Sequence, residues 1–357
     1  MTVVVQSDVS VIYKKLTDLG FSGLTGSMDF RDSTFKVGSS NVALTDLLSC
    51  VRNNTAGSYN GMFDYSTVAN NLPRITTDPS TMKKGLMIEA MFVNSLLNSL
   101  APVNRSLTFG LGSKIAMVLD CVGSGSVELF SSGVSLGIAT QNKPLVYINT
   151  TTATQNLNLS LVVNGSLDYY CLYSGNGNRK RVTRVATTAA TATYSSDIIK
   201  VNEAQLPTLF NNGEGCVVIK QNFPVALFDR NQTNSSTLPF FQFLEASSDN
   251  GIFVSRMENG SRPNFLRLKD SVIERFANNA ELSENNTIAI NFNKSSAKLA
   301  MNGVVGQSVS FNGPLDLTRM YLGSGIVYTT NGTQVIQEIL FFNRQLTDQE
   351  LLLISAS

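Results

Sequence analysis

The sequence predicts an all-β protein: two tandem β-sandwiches behind a short N-terminal helical attachment segment. Three observations lead there. Hydrophobic residues make up 43% of the 357 positions and charged residues only 15%, so Ser, Thr, Asn and Gly must supply most of the polar surface. Those residues favour turns, and they separate short Val-, Ile-, Leu- and Phe-rich runs at roughly ten-residue intervals, the rhythm of a sandwich or barrel. Finally, residues 175 to 200 break the pattern with a Thr/Ala-rich stretch of little apolar periodicity. The expected division is an attachment segment over 1–26, a first sandwich over 27–176, a linker over 177–200 and a second sandwich over 201–357.

In the first segment Val9, Ile12, Tyr13, Leu16 and Leu19 share one helical face. Ser7 or Asp8 is placed to cap its start and Gly20 to end it. In the first sandwich Leu157, Leu159, Leu161 and Val163 alternate with polar residues, so one strand face points inward. Ile115 to Leu119, Val127 to Phe130 and Leu145 to Ile148 read as further strands. The second sandwich contains Val217 to Lys220, Val225 to Phe228, Phe240 to Leu244, Ile252 to Arg256, Phe265 to Leu268, Thr287 to Phe292 and Lys298 to Met301. Asn302-Gly303 is a tight-turn signal. Near the end, Thr347 followed three residues later by Glu350 forms a capping box. Leu346 and Leu351 are placed as a hydrophobic staple across that helix start, with Leu351, Leu352 and Ile354 facing the sandwich.

Composition narrows the chemistry. The chain has no histidine, which removes Ser-His-Asp and Cys-His mechanisms and the usual zinc sites. Cys50, Cys121, Cys171 and Cys216 form no CxxC pair and read as isolated buried thiols. Gly110 to Lys114 lacks the GxxxxGK[ST] spacing of a phosphate loop. The ligand types for calcium are scattered over Asp229, Asn231, Asp249 and Asn250, so no metal or cofactor is expected. Net charge is +1, and the basic run Arg179, Lys180, Arg181, Arg184 is short and Gly/Asn-flanked, so nucleic acid is not an expected partner. No stretch approaches the roughly 18 apolar residues of a membrane span, and MTVVVQSD lacks the pattern of a signal peptide. A soluble protein made in a cytoplasm is expected. Glu89 stands out, because it sits in the apolar run GLMIEAMF. A carboxylate buried there needs a cationic partner, and Arg74 or Arg52 is expected to supply it.

Two motif sets carry a family resemblance. TIAINFNKSSAKLAMNG, RMYLGSG and QEILFFNRQLTDQELLLIS resemble the jelly-roll, concanavalin A-like or laminin-G-like domain of phage and bacterial surface proteins, with Asn302-Gly303, Leu322-Gly323 and Arg344-x-Leu346-Thr347-x-x-Glu350 at its motif positions. Residues 50 to 100 are similar to a segment of tailed-phage tail and virion proteins, matching at Arg52, Tyr59, Pro73, Arg74, Asp78, Pro79, Gly85, Leu86, Ile88, Glu89, Asn94 and Leu96 to Ser99. Arg181 to Ala186 fits the junction between that family's two sandwiches. Phe92-Val93 replaces its usual Arg-Thr, and its frequent tryptophans are absent. The E-x-D-x-E strand motif of jelly-roll glucanases does not occur.

The resemblance implies a non-enzymatic virion-surface protein, a tail or baseplate appendage that attaches to host-surface glycans. The alternative is a capsid decoration protein or head fibre. It also implies a homotrimer, contacts with other virion proteins through the N-terminal segment, and no membrane insertion. Phe311, Asn312, Tyr321, Tyr328 and Asn331 are the candidate glycan contacts: aromatic platforms and amides near the last loops.

Overall fold

The structure, a computed structural model, describes residues 15–60, 64–78, 82–89, 91–113, 116–175, 183–211, 213–222, 239–246, 250–256, 263–269, 272–280, 283, 285–311, 313–323 and 334–357. Almost all regular structure is antiparallel strand. Two sheets of eleven and seven strands face each other, and sheets of four and three strands form a second, smaller sandwich.

The larger sandwich is built around the strand Gln334–Phe342, whose nine residues are all buried. Such a strand must satisfy its backbone groups on both edges. Gly215–Asn222 covers one edge along most of its length. On the other edge two strands lie end to end: Leu24–Asp29 against the C-terminal half (Met28 opposite Ile339) and Lys84–Ile88 against the N-terminal half (Leu86 opposite Ile336). The seven-stranded sheet runs Val272–Ala277, Pro263–Lys269, Gly251–Arg256, Pro239–Glu245, Leu317–Leu322, Ile198–Val201, Leu48–Val51.

Period-2 alternation sends one face of each strand into the layer between these sheets. Val217, Ile219, Ile288, Ile290, Ile339 and Phe341 meet Ile199, Val201, Phe241, Phe243, Met320 and Leu322 there. Phe292 packs edge-on against Phe210 and Phe243, with centroids 5.0 and 4.8 Å apart. Each such fully buried side chain contributes about 1.5–3 kcal/mol.

The opposite face of the large sheet is covered by the C-terminal helix Asp348–Ser355 and by Leu16. The capping box forms as the sequence requires: Thr347 N donates to Glu350 Oε2 at 2.8 Å and Glu350 N to Thr347 Oγ1 at 3.3 Å. Leu346 and Leu351 are both buried across the helix start, whereas Leu352 points outward and is 39% exposed, contrary to expectation. A 100° step per residue cannot bring Leu351, Leu352 and Ile354 onto one narrow stripe. At the other end of the chain, a single 3-10 turn Leu16–Leu19 stops at Gly20 in the left-handed region. It docks on the chain's own large sheet, with Leu16 N donating to Glu338 Oε1 at 3.0 Å. The rest of the expected helix, Val9 to Tyr13, lies outside the described residues, as does the strand expected at Val225 to Phe228.

The smaller sandwich pairs Arg105–Leu111, Gln155–Asn164, Ser126–Ser131 and Val134–Thr140 in one sheet, and Leu145–Ile148, Ala116–Val122 and Tyr169–Gly175 in the other. Leu159 and Leu161 are buried in its core with Leu119, Leu129 and Leu172. All seven residues of Ala116–Val122 are buried, because Val118, Val122, Cys171 and Tyr173 pack on the far side against Phe92 and Tyr194.

Sheet membership corrects the expected division at 27–176 and 201–357. Strands between residues 24 and 51, and between 75 and 88, belong to the same two sheets as strands of the C-terminal half, and the seven strands of the smaller sandwich all lie within 105–175. The expected linker is corrected too. Within 177–200, Thr183, Thr187, Tyr194 and Asp197 are buried, and Ala192–Tyr194 pairs with Phe92–Asn94. Its hydroxyls also tie it in: Gly57 N donates to Thr183 Oγ1 at 2.9 Å, and Ser99 N to Thr187 Oγ1 at 3.1 Å.

Candidate functional site

Register across the seven-stranded sheet defines one row of side chains on its outer face. Ser49 lies opposite Lys200, Lys200 opposite Tyr321, Tyr321 opposite Gln242, and Gln242 opposite Phe253. Their neighbours Ile199, Leu322, Phe241 and Phe243 point into the core, so alternation puts this row on the other side. Burial deepens along it: Ser49 is exposed, Lys200 half-buried, Tyr321 5% exposed, and Gln242 and Phe253 fully buried. The Lys200 ammonium lies 5.9 Å from the centroid of the Tyr321 ring and pairs with Glu203.

Neither amide atom of Gln242 has a hydrogen-bond partner, and neither does Ser255 Oγ two residues along from Phe253. A buried polar group left unpaired costs about 1–3 kcal/mol, and its persistence calls for an explanation beyond packing. Beside a buried apolar cluster of Leu244, Phe253 and Tyr321, with Ile198 at its margin, these groups combine an amide, a hydroxyl, a phenol ring and an ammonium. That combination suits a polyhydroxylated ligand: apolar ring faces stack on the aromatic while hydroxyls exchange hydrogen bonds with the amide.

Of the five expected glycan contacts, two are described, and they lie apart. Tyr321 is in the row just described. Phe311 instead packs in the core of the large sandwich at 9% exposure, where its ring is of more use than on a wet surface. Asn312, Tyr328 and Asn331 lie outside the described residues.

The charged residues singled out from the sequence do meet, fully shielded from solvent. Arg74 Nη2 is 2.8 Å from Glu89 Oε2. Arg52 is not Glu89's partner. It pairs with Asp197 Oδ1 at 2.9 Å, while Asp197 Oδ2 lies 3.1 Å from Arg74. Tyr194 OH and Glu89 N also donate to Asp197, at 2.8 Å each. Arg52 also donates to the carbonyls of Asn54, Ala69 and Leu72 and, through Nη1, to Cys50 Sγ at 3.5 Å. Two arginines and two carboxylates thus balance charge at the place where the chain leaves the large sandwich and returns to it. Burial works against the charge on Arg74, but Asp197 and Glu89 outweigh it and raise its pKa. The same network lies beside Cys50, whose thiol is pushed up to about 11 by burial and then by Asp197.

This network is a structural clamp, and the Lys200–Tyr321–Gln242 row, open to solvent at its Ser49–Lys200 end and buried at Gln242, is the candidate binding face. Of the basic run, Arg184 is described: its guanidinium stacks 4.0 Å from the Tyr65 ring centroid and reaches Tyr59 OH at 3.2 Å. All four cysteines are buried. No group of three or more metal-ligating side chains occurs among the described residues, and no described helix is long and apolar enough to cross a membrane. Sequence reasoning missed Gln242, Ser255 and Lys200, although alternation within PFFQFLE, with Gln242 between two core phenylalanines, carried a signal for the first.

No family model matches the chain, and no curated protein does. Among solved structures it is similar to the leech intramolecular trans-sialidase, at 15% identity and a TM-score of 0.31, over 41% of this chain and 23% of that one. It is also similar to the receptor-binding domain of botulinum neurotoxin mosaic serotype C/D (11%, TM-score 0.32, 44% and 39%). A third similarity is to the Ruminococcus gnavus IT-sialidase CBM40 bound to alpha2,3 sialyllactose (14%, TM-score 0.33, 43% and 86%). The chain thus spans well under half the length of the first two.

Proposed function

We propose that this chain is a non-enzymatic structural protein of a tailed-phage virion, a tail or baseplate appendage whose large sandwich binds host-surface glycans. The observation that carries the glycan part is the outer-face row, where Tyr321 lies between the Lys200 ammonium and the unpartnered amide of Gln242. The virion part rests on the motif resemblance over residues 50 to 100 and at the C-terminus. A buried clamp between the sandwiches suits an appendage that must hold its shape outside a cell. Trimeric assembly, with the N-terminal segment as the attachment point, would array several weak sites on one particle and raise avidity.

The test is binding of the fluorescently labelled intact chain to host cells and to a glycan array, beside Gln242→Ala with its melting temperature recorded. The expected result is retained folding and at least tenfold weaker glycan binding. Wild-type chain that binds no glycan, or a folded Gln242→Ala that binds as well as wild type, would overturn the glycan reading.

A second reading, a capsid decoration protein or head fibre, is favoured by the sheet-edge strand Val134–Thr140, which exposes 67% of Val134 and 50% of Ile138. An apolar edge of that kind suits packing between neighbouring subunits. Antibody labelling of intact particles separates the two: label at the tail supports attachment, and label over the capsid lattice supports decoration.

A further inference from the structure

The smaller sandwich carries a groove of its own. The chain crosses between its two sheets at Gly123–Ser126, at Thr140–Asn142 and at Asn164–Gly165, and these three connections converge to border an open groove of about 680 Å³. A volume of that size lies within the range of small-molecule sites. The side chains lining it are the hydroxyls of Ser124, Ser126 and Thr140 and the amides of Gln141, Asn142 and Asn164; the rest of the wall is glycine.

The groove is held open by backbone. A Cβ on Gly125 would sit 2.4 Å from Asn164 O, and one on Gly123 would sit 2.6 Å from Ser166 O, so the connections touch main chain to main chain. Gly125 N donates to Ser166 O at 2.8 Å, and Gly123 N to Gln141 Oε1 at 3.0 Å. Thr140 and Lys143 exchange two further backbone hydrogen bonds, at 2.9 and 3.1 Å. A floor fixed in advance lowers the ordering cost of binding.

The lining decides the ligand class. It offers no counter-ion for a phosphate, sulfate or carboxylate, no carboxylate for a cation and no apolar wall for a lipid. It offers closely spaced hydroxyls and amides that both donate and accept, which matches the vicinal hydroxyls of a sugar. We propose that this groove is a second saccharide site, selective for neutral glycans and separate from the Lys200–Tyr321 face; it does not depend on that face binding anything.

The test is an array of neutral and acidic oligosaccharides probed with the intact chain, with Asn142→Trp and with Asn164→Ala, each checked by thermal melting. Wild-type binding to neutral glycans, weakened at least tenfold by Asn142→Trp and measurably by Asn164→Ala, is the expected result. No neutral glycan bound by wild type overturns the proposal, as does binding unchanged in both variants. Binding lost in Gln242→Ala but kept in Asn142→Trp places the sugar on the other face and also overturns it. Should either variant fail to fold, hydrogen exchange on wild type decides: a neutral oligosaccharide from the array must slow exchange at residues 123–126, and no slowing overturns the assignment.

Discussion

Arg52 and Asp197, 145 positions apart in the chain, meet at 2.9 Å with neither side chain exposed to solvent. One belongs to the segment leaving the large sandwich and the other to the segment returning to it. Asp197 cannot be treated as half of a single ion pair, because Arg74, Tyr194 and the Glu89 amide also donate to it.

Removing the Asp197 charge leaves two buried arginines facing Glu89 alone. Asp197→Ala is expected to cost about 3–5 kcal/mol, as breaking a buried pair from one side does. Urea unfolding measures this. In a double-mutant cycle with Arg52→Ala, the coupling should reach about 1–3 kcal/mol; additive losses would show that the clamp is only local packing.

Glu350 gives a pH signature. Its hydrogen bonds with Arg344 and Thr347 hold its pKa at about 2, below the ordinary 4.5. A depressed folded-state pKa means stabilisation that is complete above the unfolded value and is lost as pH falls through the folded one. The stability gap between wild type and Glu350→Gln is therefore expected to be constant above about pH 5 and to close between pH 4.5 and 2. Acid titration of both proteins by circular dichroism checks it, and a gap independent of pH would contradict the assigned contacts.

The thiols should be inert in the folded chain. All four are buried, and burial pushes Cys50 up to about 11 and Cys216 higher still. The thiolate is the reactive form. Labelling with a thiol reagent at pH 8 is expected to be slow under native conditions and to reach four groups per chain in denaturant; rapid native labelling would mean an open core.

Gly85 tests the strand pairing on Gln334–Phe342. A Cβ there would sit 2.4 Å from the Ile336 carbonyl oxygen, and backbone cannot step aside as a side-chain tip can. Gly85→Ala is expected to destabilise by about 1–3 kcal/mol, the usual range for overpacking. A thermal melt that does not move would argue against this register.

Local signals were the legible ones. Alternation at Leu157 to Val163, the Thr347–Glu350 cap and the Asn302-Gly303 turn, with both residues at positive φ, follow from the geometry of a few neighbouring residues. Glu89 was conspicuous because a carboxylate inside an apolar run needs a partner, and Arg74 is there. Asp197 was invisible: one acid in YSSDII looks like any turn residue. Thr183 and Thr187 read as linker because hydroxyls suit solvent and buried backbone equally, and only tertiary structure decides which they meet. The candidate row was hidden because its members lie on five strands drawn from residues 49 to 253 and 321. Sequence periodicity orients each strand but does not say which strands are neighbours.

The position of Gln334–Phe342 in the large sheet has a consequence for how the protein is made. Leu24–Asp29 and Lys84–Ile88 emerge from the ribosome well before their partner, which is synthesised some 250 to 320 residues later. The smaller sandwich, by contrast, has all its strands within 105–175 and can close while synthesis continues. The chain therefore carries unpaired strand edges until that strand is made, and non-local pairing of this kind folds slowly and is open to aggregation. Its assembly order is inside out: the inserted module first, the enclosing one only when the last strand arrives.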